Sequence, residues 1–178
     1  KWRMIMEKNI LVAYATKYGA TAEIAEKIGE VLREEDLGPD ILPVKKVGDL
    51  EDYQAIIVGS AVYIGRWRKE AVIFLKDNEK TLAQKPVWVF SSGPTGEGDA
   101  VELLDGWQIP GAVENTVKRI QPRDIAVFHG DVDVEKLNFI ERSMVKNVEA
   151  PVGDFRDWEA ITAWAASIVE VLKEDVVT

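Results

Sequence analysis

Cysteine is absent from all 178 residues, and histidine occurs once, at His129. The first absence excludes disulfides, thiolate nucleophiles and thiolate-bound clusters. The second leaves no histidine-based zinc site. No uninterrupted apolar run approaches the roughly 20 residues that cross a bilayer, so at most a peripheral membrane contact is expected. Positive charge is in deficit: 22 Lys and Arg stand against 31 Asp and Glu, for a net charge of −9. Nucleic-acid binding usually leaves a basic footprint, so no nucleic-acid partner is expected. The opening stretch, residues 1–8, lacks the apolar block and cleavage site of a secretory signal. It reads as a disordered or non-native extension near a natural start at Met4 or Met6, and the expected compartment is the cytoplasm.

What is present is a soluble composition, 47% apolar and 30% charged, of a length that suits one domain over residues 1–178. Runs of strand length alternate with segments of helical period. Ile10–Ala15 is a strand, followed by a helix with Ile24, Ile28, Val31 and Leu32 on one face. Leu37-Gly38-Pro39 stops that helix, and Ile41–Val47, broken by Pro43, suits an edge strand. Tyr53–Ser60, Pro86–Ser92 and Ile125–His129 are further strands, and Trp67, Ala71, Phe74 and Leu75 mark a helix face. Glu135–Val148 reads as a helix with Leu137, Ile140, Met144 and Val148 packed on the domain. A terminal helix carries Trp158, Ile161, Trp164, Ile168 and Leu172, with Asp154 as its N-cap. This alternation predicts an α/β fold, a three-layer sandwich around a five-stranded parallel sheet in the order 2-1-3-4-5.

Ligands of such sheets sit beyond the carboxyl ends of the strands, where strand order reverses. Three loops meet there. The first is Thr16, Lys17, Tyr18, Gly19, Ala20 and Thr21, which runs straight into a helix. Free backbone N–H groups and the positive end of the helix dipole make it a seat for a phosphate, although Thr16 and Thr21 also suit a plain turn and cap. It is neither a Gly-x-Gly-x-x-Gly dinucleotide turn nor a Gly-Lys-Ser/Thr triphosphate loop. The second loop holds Ser60, Ala61, Val62, Tyr63, Ile64 and Gly65; the third opens with Ser91, Ser92, Gly93, Pro94, Thr95 and Gly96. A flat apolar ring with a phosphate tail satisfies all three, with Tyr63 either stacking on the ring or packing its loop on the core. Arg66, Trp67 and Arg68 follow the second loop as a basic-aromatic rim, suited to an anionic flat substrate or simply to a solvated helix start. No catalytic acid or base and no metal site is expected, and His129 reads as structural.

Five segments carry a family resemblance: 14–21 (Tyr-Ala-Thr-Lys-Tyr-Gly-Ala-Thr), 59–67 (Gly-Ser-Ala-Val-Tyr-Ile-Gly-Arg-Trp), 90–94 (Phe-Ser-Ser-Gly-Pro), Phe139–Lys146 and Asp157-Trp158. On them the chain resembles the flavodoxin superfamily, and within it the menaquinone-dependent protoporphyrinogen oxidase branch. The resemblance implies a flavodoxin-like sandwich, non-covalent FMN held by the three loops, and electron transfer to a quinone acceptor. The stretch between Lys146 and Asp157 is shorter than that branch implies. Three functions stay open. One is an FMN oxidoreductase acting on a tetrapyrrole or quinone substrate in heme biosynthesis; a second is an electron carrier between redox protein partners. A flavin-free interaction module that kept only the fold is a third. Oligomeric state is not legible.

Overall fold

The computed structural model describes residues 9–177. The expected extension at residues 1–8 lies outside the described residues. In chain order the elements are β1 (Asn9–Ala15), α1 (Ala20–Glu34), β2 (Gly38–Pro43), β3 (Ala55–Tyr63), β4 (Arg66–Trp67), α2 (Lys69–Asp77), α3 (Glu79–Leu82) and β5 (Val87–Ser92). Then follow α4 (Ala100–Leu103), α5 (Gly111–Ile120), β6 (Asp124–Phe128), β7 (Asp131–Val132), α6 (Phe139–Asn147), β8 (Gly153–Asp154) and α7 (Trp158–Val177).

The main sheet runs β2-β1-β3-β5-β6, all parallel, which is the expected order once the small β4 is set aside. Successive side chains of β1 leave the strand on opposite faces, and Ile10 to Ala13 are all buried. Ile10 and Val12 pack with Ile24, Ile28 and Leu32 of α1 and with Ile161 and Ile168 of α7. Leu11 and Ala13 pack on the other face with Ala71 and Leu75 of α2 and with Val113 and Val117 of α5. Both faces of the sheet are therefore covered, and each fully buried Ile or Leu contributes about 1.5–3 kcal/mol. Phe90, Phe128 and Trp164 form an aromatic trio with centroids 5.5–6.0 Å apart. The Trp164 indole donates to Asp124 at 2.8 Å, which fixes α7 over β6.

Several expected boundaries move. The edge strand begins at Gly38 and stops at Pro43, so the expected Ile41–Val47 strand is wrong in its second half, where Val44–Lys46 forms a 3₁₀ turn. Pro43 supplies no N–H to continue the ladder. The Glu135–Val148 helix is split. Val134–Lys136 is a 3₁₀ turn, and Asn138 starts α6 with a capping box in which its side chain accepts from the Glu141 N–H. Of the face expected to pack on the domain, Leu137 is buried, but Ile140 is 69% exposed, Val148 73% and Met144 39%. Asp154 does not cap α7. It sits in β8 and grips Arg156 at 2.7 and 2.8 Å, while Asp157 accepts from the Ala160 N–H at 3.0 Å. The chain after Gly98 is not one open loop, because Asp99 caps the short α4 through the N–H groups of Val101 and Glu102.

Candidate functional site

All five parallel strands deliver their carboxyl ends to one edge, and strand order reverses between β1 and β3. A cavity of about 410 Å³ opens there, within the roughly 300–1,000 Å³ typical of ligand sites. Of the residues expected to bind a cofactor, Thr16, Lys17, Tyr18, Ala20, Thr21, Ala61, Val62, Tyr63, Ile64, Gly65, Ser92, Gly93, Pro94 and Thr95 line it. The three loops do converge.

The first loop turns straight into α1. Thr16 turns its hydroxyl inward to accept the Gly19 N–H at 3.0 Å, and Gly19 adopts φ 99 to enter α1. Such a φ suits a residue without Cβ. The helix start has no side-chain cap, so its first N–H groups are unsatisfied by any cap, and Ala20 and Thr21 at that end line the cavity. Close backbone approach builds the other side. A Cβ on Gly93 would lie 2.8 Å from the Val62 carbonyl oxygen, and one on Gly130 would lie 2.8 Å from Gly93 Cα. The Gly93 N–H donates to Phe128 at 3.2 Å and the Gly130 N–H to Pro94 at 2.9 Å. The second loop reverses at Ile64 (φ 51) and Gly65 (φ 65), which hairpins β4 back onto β3.

That hairpin overturns one expectation. Trp67 is not part of a helix face or a substrate rim: it is 4% exposed, and its indole donates to Ser91 Oγ at 2.8 Å. Ser91 in turn donates to the Gln108 carbonyl at 2.9 Å, so it fastens the third loop rather than facing the cavity. Ser60 is also fully buried. Its hydroxyl accepts the Arg68 N–H at 3.0 Å and donates to the Ala61 carbonyl. Arg66 is exposed, and Arg68 Nε lies 3.5 Å from Glu70; neither lines the cavity, nor do Gly19 or Gly96.

The far wall was not foreseen. It comes from Gly130–Asp133, Lys136 and Leu137, and from Glu141, Met144, Val145 and Val148 on or beside α6. Glu141 was quoted within a family segment but given no role. Its carboxylate accepts hydrogen bonds from Lys17 Nζ and Tyr18 Oη, both in the first loop. Lys17 also lies over the Tyr63 ring, 4.1 Å from its centroid, so one face of that ring already has a cation on it. The donation from Lys17, then that from Tyr18, holds the Glu141 carboxyl down at about 2. Glu141 in turn raises the Lys17 ammonium; burial, then Glu141, raises the Tyr18 hydroxyl. The signal in the sequence was Asn138-x-x-Glu141, a capping-box spacing inside what periodicity reads as one helix.

A carboxyl whose folded value is depressed stabilises above its unfolded value near 4.3, and that contribution fades as pH falls towards 2. Urea midpoints of the wild type are therefore expected to drop more between pH 5 and pH 2.5 than those of Glu141→Gln. Equal drops would contradict the assignment.

Among the described residues no group of His, Cys, Asp and Glu is placed to hold a metal ion, and no helix is long and apolar enough to cross a membrane.

Residues 11–158 match the family described as the Flavodoxin domain. No curated protein matches the chain. Among solved structures, the rubredoxin oxygen:oxidoreductase of Desulfovibrio gigas is similar with a TM-score of 0.61 and 16% identity. That likeness covers 96% of this chain but 37% of the oxidoreductase, so the chain spans little more than a third of that protein's length. Oxidised flavodoxin 2 of Bacillus cereus is similar with a TM-score of 0.57 and 23% identity, covering 91% of this chain and 98% of that one. Flavodoxin 1 of the same organism gives 0.57 and 17%, covering 91% and 97%. At these identities the structures speak for the fold.

Proposed function

The chain belongs to the flavodoxin-domain family, and from that premise we propose that it binds FMN non-covalently in this cavity and works as a redox protein. One observation carries the reading: the uncapped start of α1, with Thr16 and Thr21 beside it, closes one end of a cavity whose walls are otherwise largely apolar. A phosphate matches the first and a flat ring the second. The flavin supplies the electron chemistry when bound. Thr16–Thr21 hold its tail, Val62, Tyr63, Gly93 and Pro94 flank its ring, and the wall from Gly130 to Val148 limits water.

Within that reading we favour an oxidoreductase for a small flat substrate, a reduced tetrapyrrole with a quinone acceptor, over a carrier between protein partners. The support is the wall of residues 130–150, which lines the cavity together with the three loops. A flat small molecule fits between such walls, whereas a protein surface does not enter them. The basic rim gives this reading less support than the sequence suggests. Trp67 is buried, and only Arg66, next to the cavity-lining Ile64 and Gly65, stands exposed beside the mouth.

The test is anaerobic turnover of protoporphyrinogen with a menaquinone analogue, run beside reduction by a flavoprotein reductase. Turnover that falls in Arg66→Ala is the expected result. Reduction by the reductase without porphyrinogen turnover would favour the carrier. Protein that is colourless as isolated and takes up no FMN would end both readings.

A further inference from the structure

α6 is an unusual covering element. Its outer face carries Phe139 at 87% exposure and Ile140 at 69%, and among the described residues no helix or strand packs extensively against it. Its one buried residue is not apolar but the carboxylate of Glu141. A helix that buries a charge and exposes its aromatic residue is held by that charge rather than by a hydrophobic contact. The partners of the charge are Lys17 and Tyr18, in the loop where the cofactor phosphate is proposed to sit.

Resting on the FMN reading, we infer that Glu141 is a built-in surrogate for the cofactor phosphate. It fastens α6 to the first loop through Lys17 and Tyr18, and the phosphate of FMN takes those donors from it. A carboxylate and a phosphate monoester are both oxyanions that accept charge-assisted bonds from ammonium and phenol groups. Without the cofactor the Lys17 charge is spent on Glu141. Its contribution to a phosphate therefore becomes available only when Glu141 lets go. The capping box makes Glu141 the part of α6 that positions the whole helix: the carboxylate accepts the Asn138 N–H at 3.2 Å as well as the two loop donors. Release of the carboxylate therefore frees the loop donors and loosens the start of the helix together. The device sets the apparent affinity for any flavin that bears a phosphate and leaves a flavin without one unaffected.

Glu141→Gln tests this directly. Glutamine serves a capping box as well as glutamate does, so α6 keeps its start while the competing charge is gone. The full-length protein and the variant are titrated with FMN and with riboflavin, following quenching of flavin fluorescence. The expected result is FMN affinity higher in the variant by about ten- to a hundredfold, the range of one charge-assisted bond, with riboflavin affinity unchanged. Unchanged or weaker FMN binding in the variant overturns the inference and leaves the FMN reading standing. An equal gain for both flavins also overturns it, because the helix would then act by bulk alone. Neither flavin binding to either protein overturns the FMN reading itself. Adding Lys17→Met to the variant provides a second check: the gain for FMN is expected to vanish, and its persistence would show that Lys17 is not the donor released.

Discussion

Alanine in place of Gly93 is expected to weaken FMN binding by about 5- to 150-fold while the protein remains folded. The new Cβ would stand 2.8 Å from the carbonyl oxygen and 2.9 Å from Cβ of Val62, in the second loop, and Gly130 lies so near Gly93 that a Cβ on it would stand 2.8 Å from Gly93 Cα. Neither neighbour is the free end of a flexible side chain. The second and third loops must move apart, and they are the two that flank the proposed ring. Overpacking of this kind costs about 1–3 kcal/mol. Expressed in binding, that cost gives the range stated. Titration of both proteins with FMN measures it, with thermal scans to show that the variant is folded. Equal affinities would mean that the spacing of these loops does not define the ring site.

Gly59→Ala is expected to act on the fold instead. Gly59 lies in β3 beside Phe90 in the parallel register, and a Cβ there would run into the Phe90 ring. That ring is fully buried and held on its other sides by Phe128 and Trp164. It has no open direction in which to retreat. A cost of about 3 kcal/mol corresponds to a fall in Tm of roughly 6–12 °C for a chain of this size. Gly48→Ala is the control, since nothing lies within 4 Å of its added methyl group and its melting temperature is expected to hold. A Gly59→Ala protein that melts with the wild type would show that the trio is loosely packed.

The layers of this fold were legible because burial on both faces of a parallel sheet writes continuous apolar runs, as in Ile10–Ala13 and Ala55–Val58. The first loop was legible for a different reason. Its proposed role lies in the backbone, and the turn into α1 fixes the backbone locally. Side-chain roles that depend on tertiary contact were less legible. Trp67 stands at helical spacing from Ala71, yet positive φ at Ile64 and Gly65 folds it back as β4, where Ser91 receives its indole. Ser60 and Ser91 sit at strand ends facing the expected ligand edge, but each spends its hydroxyl on fastening a loop. Asp154 precedes α7 as a cap would, and Arg156 claims it first. Glu141 is separated by more than a hundred residues from Lys17 and Tyr18, so no local pattern announces their meeting.

What occupies the turn from Thr16 to Thr21 decides whether FMN binds in this cavity, and a crystal structure of the protein with FMN examines that turn directly. The phosphate is expected against the first N–H groups of α1 and the hydroxyls of Thr16 and Thr21, with the ring between Tyr63 and Pro94. A flavin bound elsewhere, or one with its ring where the phosphate belongs, would contradict that reading.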